Sequence, residues 1–218
     1  MISIIMTPYQ NVEVFQKQYK ALKSCIDTDF EVIISVVDTD PMQTWFVDFC
    51  STNDIRCMVV PNFGVINLIN ILAARARGDY IFYVSDIMVF DESDKWGSLV
   101  VNTLQKKDKI NSAILSLHTN DYNCTGLFMT TKLFHVLGYY ACPVFTSPIV
   151  AYRWNASILT DVGRLVNIKC GINYNKVDSD SLLEDMDLFN VTRSARIATS
   201  ERVKEFVEDD NDRTTANN

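Results

Sequence analysis

Residues 2–6, "ISIIM", form an unbroken apolar run rich in β-branching, the pattern of a strand buried on both faces. Thr7-Pro8-Tyr9 interrupts it. Phe15, Tyr19, Leu22 and Ile26 then recur at spacings of four, three and four, the apolar stripe of one helix. A second buried strand is predicted over 30–38, "FEVIISVVD", and a short helix over 42–53. "RCMVVP", 56–61, predicts a third strand, 65–77 a helix ended by Arg77-Gly78-Asp79, and 79–84 a fourth strand. Strands alternating with helices predict a parallel sheet with helices on both faces, so the fold class is α/β.

After Trp96 the rhythm changes. A helix is predicted to Lys106, then a strand over 112–117, a turn region from Asn120 to Asn123, and the segment "GLFMTTKLFHVLGYY", 126–140. Residues 157–168 predict a helix leading into a last strand. From Ser200 the chain turns polar and acidic and loses its apolar period after Val207, so 200–218 is expected as a disordered tail. No internal repeat is present.

A length of 218 residues, 48% of them hydrophobic, suits one compact domain. The net charge of −7 argues against a mainly electrostatic grip on nucleic acid, so no general nucleic-acid binding is expected. No apolar run approaches the roughly 20 residues that span a bilayer. "MISIIMTPYQ" has no basic stretch before its short apolar run, as a signal peptide would. The six cysteines (25, 50, 57, 124, 142 and 170) form no CxxC pair. Reduced thiols and a cytoplasmic location, a host cytoplasm if the protein is viral, are the expectation. Asn-x-Ser/Thr triplets at Asn123, Asn155 and Asn190 are then chance matches.

Ligands of open parallel sheets bind beyond the carboxyl ends of the strands. Three such ends carry chemistry here: Thr7-Pro8-Tyr9, Asp38-Thr39-Asp40 and Ser85-Asp86. An aromatic ring and carboxylates gathered on one rim suit a nucleotide better than a purely apolar ligand.

Order and spacing add a resemblance. "NFGVINLINILAARARGDYIFYVSD" resembles the nucleotide-binding half of inverting family 2-type glycosyltransferases of the GT-A fold, with Asn62, Gly64, Asn70, Ala76, Gly78, Tyr80 and Ile81 in register and Trp96 following. "SIIMTPYQN" is similar to the first strand and nucleotide-contacting turn of that family, and "VVDTD" to its second strand. "TGLFMTTKLFHVLGYY", with Gly138-Tyr139, resembles its acceptor-side segment, and "YRWNASILTDVGRLVNI" a segment of small GT-A proteins. The resemblance implies a single GT-A domain over 1–199, with a nucleotide-binding half over about 1–96, an acceptor half over about 97–199, and a central, mostly parallel sheet flanked by helices.

It also implies a reaction and roles. A sugar would pass from a nucleotide-sugar, a UDP-sugar by expectation, to a hydroxyl of a glycan, protein or small molecule with inversion. Tyr9 and Asp38 would meet the base and Thr7 and Pro8 shape the turn. Asn62, Gly64, Asn70, Ser85 and Asp86 complete the nucleotide site. Asp86 would hold Mn²⁺ or Mg²⁺ against the diphosphate, and Asp161 is the expected base. Arg75, Arg77, Arg153, Arg164, Lys169 and Lys176 are the candidate counter-cations, and Phe145, Tyr152 and Trp154 the candidate stacking surface.

The chain also departs from the family pattern. Ser85-Asp86-Ile87-Met88 has one acidic residue where two or three are usual, with Asp91 five residues on. "GINYNKVDSD" supplies Asn173 and Asn175 but no His ligand, and Tyr152 stands where a carboxylate is expected; Asp178 and Asp180 follow on the next loop. His135 reads as structural, and His118 could face the cleft. These departures support an alternative, a degenerate GT-A domain that binds nucleotide or a partner without transfer. A nucleotidyltransferase is disfavoured because "TPYQNVEVFQ" lacks a phosphate-loop glycine.

Overall fold

The computed structural model describes residues 1–107, 113–117, 124–168, 170, 172–174 and 180–216. In chain order its first elements are β1 (Ile2–Met6), α1 (Val12–Cys25), β2 (Phe30–Val37), α2 (Gln43–Thr52), β3 (Arg56–Val60), α3 (Val65–Ala73), β4 (Tyr80–Val84) and β5 (Met88–Phe90). There follow α4 (Gly97–Lys107), β6 (Ala113–Leu117), β7 (Cys124–Thr130), α5 (Thr131–Leu137), α6 (Pro148–Asp161), β8 (Leu165–Ile168), β9 (Ile172–Tyr174), α7 (Asp180–Val191) and α8 (Arg193–Ala216).

Seven strands form the central sheet in the order β3-β2-β1-β4-β7-β6-β8. β1 pairs in parallel with β2 and β4, β2 with β3, and β6 with β8; β7 runs antiparallel between β4 and β6. The sheet is thus mostly parallel, as expected. β1 and β4 are buried at every position, so their alternating side chains feed two cores. Ile5, Ile33 and Ile81 pack towards α3, α5, α6 and α8, while Ile4, Ile34 and Phe82 pack towards α1, α2 and α4. Trp96 is fully buried in the second core, 5.7 Å from Phe82 and 5.3 Å from Phe128 between ring centroids. Truncating such an anchor costs about 3–5 kcal/mol.

Local chemistry sets the helix ends. Asn11 Oδ1 accepts from Val14 N at the start of α1, Glu13 lies in the first turn and Lys23 in the last. Thr130 caps α5 by accepting from Leu133 N, and Gly138 ends that helix at φ 80°. α3 stops at Ala73, earlier than the expected 77, because the chain must turn sharply into β4. Gly78 makes that turn possible: a Cβ there would lie 2.7 Å from the Met1 carbonyl oxygen.

Three features differ from expectation. The antiparallel β7 has no sequence signal of its own, since its apolar run reads like a parallel strand. β5 and β9 pair as a separate two-stranded sheet, Met88 opposite Tyr174, which three-residue strands do not announce. Residues 200–216 of the segment expected as a disordered tail are instead helical within α8. Ser200, Val203 and Val207 are buried where α8 packs on α5 and α6. Two valines among charged residues make a stripe too sparse to recognise without the surface that receives it. No described helix is long and apolar enough to cross a membrane.

Candidate functional site

Parallel pairing of β1, β2 and β4 brings their carboxyl ends to one rim. There Thr7, Asp38 and Ser85 each follow the last strand residue. Asp38 and Tyr9 are exposed, Tyr9 at 54%. The turn that presents Tyr9 is held from β2's loop. Asp40, 4% exposed, accepts from Gln10 N at 2.9 Å and Met42 N at 2.8 Å, fixing Gln10 at φ 56°. Asp40 therefore builds the rim, while Asp38 stays open to a ligand.

Ser85–Met88 is a β-turn closed by Met88 N donating to Ser85 O at 3.1 Å. Gln18 Nε2 donates to the carbonyl oxygens of Ser85, 2.7 Å, and Met88, 3.0 Å. With its backbone fixed, the turn leaves the Asp86 side chain exposed between two clefts. One is a cavity of about 290 Å³ whose walls include Val65, Tyr83, Ser85, Thr146, Ser147 and Tyr152. The other is a shallow slot along Thr7, Pro8 and Tyr9.

Beneath the cavity, the Tyr83 hydroxyl hydrogen-bonds the Thr7 hydroxyl at 2.9 Å, tying β4 to the first turn. Burial pushes the Tyr83 phenol up to about 12; the Thr7 bond opposes this and the Asp86 charge adds to it. Tyr83 is thus a neutral hydrogen-bonding group at ordinary pH. Thr146 and Ser147 of the cavity wall are held by Asp185, 5% exposed, which accepts from Thr146 N at 3.0 Å and from Ser147 N and so fixes the segment that enters α6.

The structure sorts the expected site residues. Thr7, Pro8, Tyr9, Asp38, Ser85 and Asp86 share the rim. Asn62 Oδ1 accepts from Gly64 N, 3.1 Å, and Gly64 at φ 78° starts α3 beside the cavity. Asn70 has a supporting place: Oδ1 accepts from Tyr140 N and Ala141 N, each 2.9 Å, and Nδ2 donates to Ala141 O at 2.8 Å. Its amide positions the loop before α6.

Asp161 is separated from the site. Pro148 at the start of α6 lines the Asp86 cavity, whereas Asp161 ends this fourteen-residue helix, about 20 Å away at 1.5 Å per residue. Asp161 Oδ2 accepts from Ser200 Oγ at 3.2 Å in a groove against α8. The length of α6 therefore carries Asp161, the expected base, away from the cavity that Asp86 lines.

Arg75 and Arg77 are also remote, at the amino end of β4, where Arg77 N donates to Glu31 and Arg56 donates to Arg75 O. Phe145 and Trp154 pack in the core at 5.6 Å, and Trp154 Nε1 donates to the Tyr139 hydroxyl; of the expected stacking residues, Tyr152 reaches the cavity wall. His135 is exposed on α5, and Asp91 accepts from Ser93 N and Oγ. His118, Lys169, Asn175, Lys176 and Asp178 lie outside the described residues, as do the side chains of Asn173 and Asp180.

Gln18, Tyr83 and Asp185 were not found from sequence. Gln18 left a trace, as a polar residue between Phe15 and Leu22 on the buried face of α1. Asp185 left none.

For a metal the donor set is thin. Of the described residues lining the two clefts, Asp86 is the one carboxylate, and no group of three or more potential ligands occurs among the described residues. Mg²⁺ and Mn²⁺ take about six oxygen ligands. These residues do not make a resident metal site.

No protein-family model matches the chain, and no curated protein matches it. Solved structures do. TarS from S. aureus superposes with a TM-score of 0.62 at 13% identity, over 88% of this chain and 39% of that one. A TarS 1-349 structure in complex with UDP-GlcNAc matches 94% of this chain and 71% of its own, with a TM-score of 0.58 and 13% identity. The mannosyltransferase PcManGT from Pyrobaculum calidifontis, in complex with GDP-Man and Mn²⁺, gives 0.60 at 11% identity over 93% and 73%. Glucosyl-3-phosphoglycerate synthase from Mycobacterium tuberculosis, with Mg²⁺ and UDP, gives 0.59 at 11% over 90% and 79%. The chain has the GT-A fold these structures share, and it spans 39% of the length of the longer TarS chain.

Proposed function

We propose that this chain is a nucleotide-sugar-dependent glycosyltransferase that moves a sugar from a UDP-sugar to an acceptor hydroxyl on a glycan, protein or small molecule, with inversion. The observation that carries the proposal is the convergence of Tyr9, Asp38 and Asp86 on the carboxyl rim of β1, β2 and β4, beside a cavity of about 290 Å³. That is the place where an open parallel sheet receives a nucleotide. The likeness to structures holding UDP, UDP-GlcNAc and GDP-Man supports the same reading.

In this proposal the base lies on Tyr9 and hydrogen-bonds Asp38, and Thr7 and Pro8 allow close backbone approach. Asp86 accepts from a ribose hydroxyl and the Ser85 hydroxyl donates to the diphosphate, with the start of α3 at Asn62 and Gly64 alongside. The acceptor oxygen bonds to the anomeric carbon as the bond to the diphosphate oxygen breaks, and UDP leaves. The hydroxyl proton needs an acceptor. With Asp161 at the far end of α6, Asp86 is the carboxylate in the cavity for that role.

The same scarcity of carboxylates favours a second reading, nucleotide or partner binding without transfer. Donor binding and proton removal ordinarily each draw on an acidic group. Calorimetry with UDP and UDP-sugars, with and without Mn²⁺, followed by assays of sugar hydrolysis and transfer, separates the two. Binding with turnover supports a transferase, and binding without turnover supports the second reading. Absence of binding by any nucleotide overturns both nucleotide assignments.

A further inference from the structure

We propose a second, separate site: the groove between the carboxyl end of α6 and the face of α8 binds a phosphate-bearing anion. The groove holds about 530 Å³, within the range of small-molecule sites. Arg193, Arg196 and Lys204 line it with the hydroxyls of Ser157 and Ser200. A cationic groove is unexpected on a chain of net charge −7.

Arg196 is the decisive group. It is 8% exposed and lies with its guanidinium 3.8 Å from the Phe189 ring centroid and 5.4 Å from that of Trp154. Nη1 donates to the Phe189 carbonyl oxygen. No described carboxylate lies within the 4.0 Å of an ion pair with it. A guanidinium has five N–H donors, and a buried charge without a counter-charge costs several kcal/mol. Arg193, one helical turn earlier, adds repulsion; burial and that neighbour both lower the Arg196 pKa.

Two carboxylates share the groove, Asp161 and Glu201. Asp161 attracts Arg196 from beyond pairing distance and is itself bonded by Ser200 Oγ. The lining carries three cations and two carboxylates, and Lys204 also pairs with Glu208 on α8 at 4.0 Å. A planar fork held by aromatic rings, flanked by mobile cations and hydroxyls, matches the oxygens of a phosphate group. Exposed Ile197 gives a phosphomonoester's organic part an apolar contact.

The test is titration calorimetry of the full chain with inorganic phosphate and with glucose 6-phosphate. Saturable binding is expected, weakened at least about tenfold by Arg193→Glu and by Lys204→Glu. Both positions are exposed, so both variants keep the fold. Arg196→Lys, which retains charge and loses the fork, is expected to weaken binding less than either reversal. Tighter binding of glucose 6-phosphate assigns the site to phosphomonoesters; equal affinities assign it to the free anion. No saturable binding of either anion at millimolar concentration, or unchanged affinity in both charge reversals, overturns the proposal. The result does not depend on UDP binding, so it stands or falls apart from the Asp86 cavity.

Discussion

Gln18 on α1 holds the carbonyl oxygen of Ser85 at 2.7 Å, and the same Nε2 reaches Met88 O at 3.0 Å. A single buried amide therefore spans the turn that carries Asp86 and sets where the carboxylate stands. Gln18→Leu keeps the bulk and removes the donor, leaving Ser85 O one bond from Met88 N. Stability is expected to fall by about 1–3 kcal/mol in urea titrations, with a parallel loss of UDP affinity by calorimetry. Reduced stability with unchanged affinity would limit Gln18 to a packing role.

Asp86→Ala is expected to weaken UDP-sugar binding at least about tenfold, since a hydrogen bond to a charged group contributes about 1.5–3 kcal/mol. Because Asp86 is the one described carboxylate at the clefts, Mn²⁺ is expected to change wild-type UDP affinity only modestly. A large Mn²⁺ effect that Asp86→Ala leaves intact would mean that the ligands come from residues other than those lining these clefts.

Asp161→Asn should preserve turnover within about twofold, whereas removing a general base costs about 10²–10⁴-fold. Steady-state rates of UDP-sugar hydrolysis or transfer decide the matter. A loss of two orders of magnitude would return Asp161 to the reaction.

Tyr83 gives a pH signature. Its phenol ionises near 10 when unfolded and at about 12 in the fold, so its contribution to stability is complete below pH 10 and is lost as pH rises through 12. That contribution is about 2–3 kcal/mol at most. Urea midpoints measured from pH 8 to 11.5 should decline less steeply in Tyr83→Phe than in the wild type. Identical slopes would contradict the burial assigned to this hydroxyl.

The resemblance motifs divide by the contacts they make. Gly78 exists for a close approach to Met1, Trp96 fills a core, and Asn70 braces the loop before α6. These residues identify the fold because the fold needs them, and they stand behind the chemistry. The rim residues Tyr9, Asp38 and Asp86 carry weaker local signals, since a polar residue at a strand end is ordinary.

The sequence by itself determined the strand–helix alternation, the parallel core and the rim residues. Burial imposes apolar runs of the right length and period, and strand ends follow from those runs. Tertiary structure alone decided the antiparallel β7, the β5–β9 pairing and the helical tail, where short or sparse patterns become stable only against a partner surface. It also parted Asp161 from Asp86 and set it beside Ser200. A rigid helix of fourteen residues converts a short sequence interval into about 20 Å, and no linear spacing shows which end meets the cavity.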